Sequence, residues 1–306
     1  MSCKLGRKSL ISMLLLVAML ALAACGGLRS DAAKPEEQSY LRVDYVDVGQ
    51  ADFIVVECDG VYMTIDGGNV ADSQLVYSYL KQRGISEIDT VVITHAHEDH
   101  CGGVSAILNY AEVGKVYCPV TDFSTAAFQS VLTLLEKKDL EITVPVPGEA
   151  FTLGGALVQI FGPVGSYENV NDTSIVLKIT FGEKSFLFAG DAEYDAEHDI
   201  INAGFDLSAD VLKVGHHGSY TSTSYVWVKA VMPEYAVISS NRTEKPEYNH
   251  PHSGVVSRLR DADVTVFRTD LQGTITCITY GTDLAFMVER NPDADTLFDA
   301  GDGGNH

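Results

Sequence analysis

Three histidines and one aspartate fall within six residues in the stretch Thr94-His95-Ala96-His97-Glu98-Asp99-His100-Cys101-Gly102-Gly103. It follows Asp89-Thr90-Val91-Val92-Ile93, an apolar β-branched run that reads as a buried strand. A strand ending in His-x-His presents both imidazoles from one side of the backbone, because side chains repeat every second residue. Asp99 and His100, on the turn that follows, can then aim at a neighbouring point. Nitrogen and oxygen donors so arranged suit two divalent metals a few ångströms apart, a chemistry that turns a bound water into a nucleophile at neutral pH.

Other chemistry-bearing residues stand at the ends of other predicted strands. Asp66, before Gly67-Gly68, either begins a turn or supports a metal ligand from behind. Gly190-Asp191 ends an apolar run and makes Asp191 the candidate for a carboxylate shared by two metals. Asn171-Asp172-Thr173-Ser174 and Gly215-His216-His217-Gly218-Ser219 flank two more strands. Seven of the nine histidines lie at predicted strand ends or in adjoining loops, as a site built along one sheet edge requires.

The elements that must position these residues begin with strands. Residues 41–48 alternate, 53–58 follow after a turn, and 61–66 return after Asp59-Gly60, which together predict an antiparallel meander. Helical spacing covers 72–83 and stops at Gly84. Beyond the metal cluster the pattern predicts helices over 104–111 and 123–138. It predicts strands over 115–118, 141–146, 157–162, 174–181, 185–189 and 210–214.

The first 24 residues are of a different kind. Lys4, Arg7 and Lys8 precede the apolar run 10–22, and Leu22-Ala23-Ala24-Cys25 supplies small residues before a cysteine. This predicts an export signal over 1–24 and a flexible tether over 25–39, ahead of a folded domain over 40–284 and an acidic, disordered tail over 285–306. Removing the signal takes the net charge from −21 to −24, because it deletes three cations and no anion. Such acidity repels polyanions at long range and weighs against a nuclease unless metals and local contacts hold the strand. Cys58, Cys101, Cys118 and Cys277 show no CxxC spacing and read as separate buried thiols, with disulfides, which an export compartment permits, as the alternative.

The order of these motifs resembles the metallo-β-lactamase fold, an α+β four-layer αββα sandwich. More narrowly, 46–52, 65–68, Asn171-Asp172-x-Ser174, 212–219 and Asn249-His250-Pro251 are similar to the hydrolase domain of ComEC-type competence proteins. The lipobox-like end of the signal likewise resembles that of bacterial lipoproteins, implying a lipid on Cys25 and an extracytoplasmic, membrane-tethered protein. By the first resemblance His95, His97 and Asp191 hold one metal, and Asp99, His100, Asp191 and His216 hold the second, with His217 as the alternative to His216. Many members carry a further histidine between the first cluster and the bridging aspartate, and residues 101–190 contain none. Asp172 or water is expected to fill that position. More oxygen among the ligands shifts the expectation towards manganese, with zinc the alternative.

The resemblance implies a phosphodiesterase or DNase that uses a hydroxide bridging two metals, with Asp99 orienting it. His250 would bind a phosphoryl oxygen or protonate the leaving group, with Asn249 beside it near the substrate. Two alternatives stand beside it. One is a phosphodiesterase for wall teichoic or lipid-linked esters; the other is a non-catalytic tethered binding protein with a relict site. No protein partner is implied.

Overall fold

Alternating apolar residues and the turn at Asp59-Gly60, both at positive φ, fold the start of the chain into the expected antiparallel meander. Its strands are β1 (Leu41–Tyr45), β2 (Ile54–Cys58) and β3 (Val61–Ile65). The structure, a computed structural model, describes residues 38–297. The export signal, Cys25 and most of the tether lie outside the described residues, as does the segment 298–306.

Helix α1 (Ser73–Arg83) stops at Gly84, whose φ of 68° a side chain would strain. Then come β4 (Glu87–Val92), the short α2 (Glu98–Cys101), α3 (Val104–Tyr110), β5 (Glu112–Tyr117), α4 (Ala126–Lys137) and β6 (Ile142–Thr143). The second half runs β7 (Ala150–Leu153), β8 (Ala156–Ile160), β9 (Leu177–Phe181), β10 (Lys184–Phe188), α5 (Tyr194–Asn202), β11 (Val211–Lys213), α6 (Tyr225–Val231) and β12 (Tyr235–Ile238). It closes with α7 (Ser253–Asp261), β13 (Thr265–Arg268), α8 (Thr269–Gln272), β14 (Ile275–Thr279) and β15 (Leu284–Val288).

Two sheets result, ordered β15-β14-β1-β2-β3-β4-β5-β6 and β13-β12-β11-β10-β9-β8-β7. Val43, Tyr45, Val56, Met63 and Ile65 of the first pack on Val158, Ile179, Phe186, Phe188 and Val211 of the second. The outer face of the first sheet is covered by α1, α3 and α4 through Val76, Leu80, Ile107, Phe128 and Val131. Helices α5 and α6 cover the second through Ala196, Ile200, Trp227 and Val231, and α7 adds Val255 and Leu259. This is the four-layer αββα sandwich expected from the sequence. The four cysteines are free and buried, also as expected.

Strands β3, β4 and β5 run parallel in one sheet, and β10 to β13 run parallel in the other. Parallel strands deliver their following loops to one edge, where α/β sheets place ligands. That edge is drawn tight by backbone contact: Gly67 N–H bonds His100 O at 2.8 Å and Gly103 N–H bonds Gly68 O at 2.9 Å. A Cβ on Gly103 would lie 1.9 Å from Gly67 O, so only glycine permits the approach.

Three expectations are corrected. Strand β4 ends at Val92, so His95 and His97 sit on the bend after it rather than on the strand itself. The strand expected over 141–146 shrinks to two residues at the sheet edge. The tail expected from residue 285 instead continues as β15. Thr296 is also buried, its hydroxyl donating to Val266 O at 2.7 Å, so the packed fold runs on through that residue.

Candidate metal centre

The centre is assembled from the ends of β3, β4, β10, β11 and β12. After β3, Asp66 turns inward at φ 61° and accepts three hydrogen bonds, each 2.7 Å: Thr94 N–H, the Thr94 hydroxyl and His100 Nδ1–H. This carboxylate fixes the His100 ring so that Nε2 faces Asp191 Oδ2 at 3.2 Å. A carboxylate–imidazole pair of this kind is the usual way a metal-ligating histidine is oriented, and the geometry is the one expected of Asp66 as a supporting group.

After β10, Gly190 and Asp191 enter the centre, with Asp191 N–H donating to Ser174 Oγ at 3.0 Å. After β11, His216 and His217 both adopt left-handed backbone, φ 49° and 53°. That kink sends the two rings different ways. His217 is fully buried, donates Nδ1–H to Ser239 O at 3.0 Å and brings Nε2 to 3.4 Å from Asp99 Oδ2. His216 keeps Nε2 at 3.8 Å from Asp191 Oδ2 while Nδ1 meets Glu193 Oε1 at 3.0 Å.

Ligand atoms of Asp99, His100, Asp191 and His217 lie within 4.8 Å of one another. Nε2 of His100, Nε2 of His217 and Oδ1 of Asp191 are buried and make no hydrogen bond. Native interiors rarely leave such atoms unpaired, and a cation between them satisfies all three. The residues therefore fit a divalent metal. The resemblance put His216 in this set, whereas the geometry brings His217. His95 and His97 lie alongside, their rings 4.8 Å apart, with His95 Nε2 at 3.8 Å from Asp191 Oδ2.

Charges divide sharply here. Burial and the neighbouring His100 hold the His95 pKa well below the ordinary value. Burial also resists charge on His100, but Asp191, Asp66 and Asp99 outweigh it and raise that pKa well above normal. His217 is likewise raised, burial being overcome by Asp191 and Asp52. Against burial, these imidazoles push Asp191 well below the carboxylate range, and His100 and His217 lower Asp99.

An open cleft of about 310 Å³ gives access, lined by Gln50, His97, Asp99, Asn171, Asp191, His216, His217, Tyr248 and His250, among others. A larger groove, about 460 Å³ between α6 and α7, is lined by no histidine and holds no cluster of metal-ligating groups among the described residues. His250 is buried, and burial together with His217 and His216 depresses its pKa to about 3. A neutral ring is poorly suited to the leaving-group protonation expected of it.

Two further expectations are corrected. Asp172 does not reach the metal cluster: its Oδ1 accepts Glu193 N–H at 2.9 Å and Ala196 N–H at 3.3 Å, capping α5. Asn249 is exposed and does not line the cleft, although its neighbours Tyr248 and His250 do. Sequence reasoning gave no role to the ion pair of Asp52 and Lys213, 2.8 Å apart and both fully buried behind His217. The one available signal was a lysine inside an apolar strand.

The metallo-beta-lactamase superfamily profile matches residues 46–240, and the chain belongs to that superfamily. It is similar to Competence protein ComA of Neisseria gonorrhoeae, 29% identical over 84% of this chain and 35% of that protein. It is also similar to Recombination protein 2 of Haemophilus influenzae, 30% identical over 76% of this chain and 28% of that one. The chain thus spans about a third of the length of the curated relatives it matches. Among solved structures, Igni18, a metallo hydrolase from Ignicoccus hospitalis, superposes with a TM-score of 0.52 at 21% identity, covering 78% of this chain and 98% of that one.

Proposed function

We propose that this chain is a metal-dependent phosphodiesterase with a two-ion centre that acts on nucleic-acid strands. The observation that carries the reading is Asp191, whose Oδ2 is met by Nε2 of His100 at 3.2 Å, His217 at 3.7 Å, and His95 and His216 at 3.8 Å. A carboxylate oxygen facing four imidazoles suits a bridge between two cations. Asp99, His100 and His217 would share Asp191 for one ion; His95, His97 and His216 would share it for the other. His216 then fills the place left by the absent histidine of residues 101–190. Five imidazoles make the donor set richer in nitrogen than expected from the sequence, so zinc stands level with manganese.

Divalent ions held there supply Lewis acidity towards a phosphoryl group and lower the pKa of water. The chain's own residues do the rest. Asp99, the most exposed of the clustered ligands, is 30% accessible and faces the cleft, where it orients an attacking water. Asn171 and His250 wall the same cleft and contact the substrate.

Nucleic acid is supported by relatives named for competence and recombination, and it must be bound by a chain of net charge −21. Binding by metals and a few local groups predicts a shallow dependence on salt. An extracytoplasmic site, tethered through a lipid on Cys25, rests on the pattern of residues 1–25 alone.

The test is cleavage of single-stranded DNA and of a small aryl phosphodiester by the purified full chain with manganese or zinc. Cleavage of both, with a shallow salt dependence, is expected. Cleavage of the small ester alone would transfer the substrate to wall-derived or lipid-linked phosphodiesters, and cleavage of neither would refute the reading.

A further inference from the structure

Gln50 and His250, two hundred residues apart, are both buried and meet through Gln50 Nε2 and His250 Nδ1 at 2.9 Å. The orientation of the amide is decided by a third group. Backbone N–H of Asn241 lies 3.0 Å from the other terminal atom of Gln50, and a backbone N–H only donates, so that atom is the oxygen. The atom facing His250 is then the amide nitrogen, which also only donates. His250 Nδ1 must accept. Flipping the amide would set its nitrogen against Asn241 N–H, two donors facing each other in a buried place, at about 1–3 kcal/mol for the unsatisfied group.

An imidazole that accepts at Nδ1 is neutral and carries its proton on Nε2. That nitrogen has no protein hydrogen-bond partner among the described residues, and its ring walls the cleft beside Asp191, His216 and His217. Gln50 is itself held, its backbone N–H donating to Glu244 Oε2 at 3.1 Å. We infer that Gln50 is a positioning residue that locks His250 in the Nε2–H tautomer, making His250 a fixed hydrogen-bond donor to a phosphoryl oxygen of the substrate.

The identity of the acceptor rests on the phosphodiesterase reading; the tautomer does not. A preset donor aimed at developing negative charge needs no reorganisation during the reaction, and loss of one such donor typically costs about 10²–10³ in kcat.

The tautomer is read by long-range proton–nitrogen NMR correlation on the zinc-loaded full chain, labelled with ¹⁵N-histidine, near neutral pH. Peaks absent from His250→Gln identify the residue. The wild type should show Nε2 protonated and Nδ1 bare. In Gln50→Glu, whose carboxylate still accepts from Asn241, Nδ1 should become protonated. A wild-type His250 protonated on Nδ1, or a tautomer indifferent to Gln50→Glu, would overturn the assignment whatever the activity. For the donor role, His250→Gln keeps an N–H and should stay within about tenfold of the wild-type kcat, while His250→Ala should lose about a hundredfold or more. Equal losses would overturn that role. An Nε2–H ring in a chain that cleaves no phosphodiester would leave the tautomer standing and remove the phosphoryl acceptor together with the functional reading.

Discussion

Replacing Asp66 by asparagine changes one atom and should disarm His100. In the native chain one oxygen of Asp66 accepts Thr94 N–H, and the other accepts the Thr94 hydroxyl and His100 Nδ1–H, all at 2.7 Å. Asparagine keeps its oxygen on the backbone N–H, which can only donate, and so presents an amide nitrogen to His100. His100 Nδ1 must then accept, its proton moves to Nε2, and Nε2 is the atom that faces Asp191. A protonated Nε2 cannot bind a metal. Loss of such a supporting group costs about 10- to 100-fold in metal affinity, which is about 1.4–2.8 kcal/mol. The three hydrogen bonds that the carboxylate accepts also lose their charge assistance, removing about a further 1–3 kcal/mol of fold stability. Zinc affinity is measured by competition with a fluorescent chelator, with circular dichroism to confirm folding. A folded Asp66→Asn chain that binds zinc within twofold of the wild type would show that His100 does not depend on that carboxylate.

Three further predictions follow from buried groups near the centre. Lys213→Met leaves Asp52 as an unpaired buried charge and should cost about 3–5 kcal/mol in urea unfolding, with Asp52→Asn added to it restoring much of the loss. Gly103→Ala drives a Cβ into Gly67 O and should lower both the melting temperature and the metal affinity, by about 1–3 kcal/mol or more in stability. Glu197 is held at about 7 by burial, despite backbone N–H donors from Thr223 and Ser224. The folded chain then binds more protons than the unfolded one between the ordinary value of 4.5 and about 7. That contribution is complete below pH 4.5 and is lost as pH rises through 7, a change of about 3 kcal/mol. Unfolding midpoints of the wild type and Glu197→Gln across this range should converge or cross in favour of the variant at high pH; a pH-independent difference would contradict the shift.

The sandwich was legible because its strands alternate and its helices announce their ends: Asp59-Gly60 turns, Gly84 stops α1, and the metal cluster follows an apolar run. The ligand cluster was legible because three histidines within six residues have few other uses. What stayed hidden depends on dihedrals and on contacts across the two sheets. No periodicity tells His216 from His217, since both rings are aimed by left-handed backbone. Asp172 was drawn into the site by its neighbours in sequence, but a 3₁₀ turn at Asn171–Thr173 hands it to the start of α5. Residues 285–297 look solvated by composition, and only the pairing of β15 with β14 and the buried hydroxyl of Thr296 show that they belong to the fold. The partnerships of Gln50 with His250 and Asp52 with Lys213 span long stretches of chain and leave no local pattern.

As proposed, Asp191 is the carboxylate shared by two metal ions. The most direct test is the metal content of the purified chain after loading and desalting, measured by plasma mass spectrometry alongside phosphodiester cleavage, for the wild type and Asp191→Asn. Two ions per wild-type chain are expected, with cleavage and at least one ion lost in the variant. A wild type that holds a single ion, or an Asp191→Asn chain that keeps two ions and full cleavage, would contradict that role.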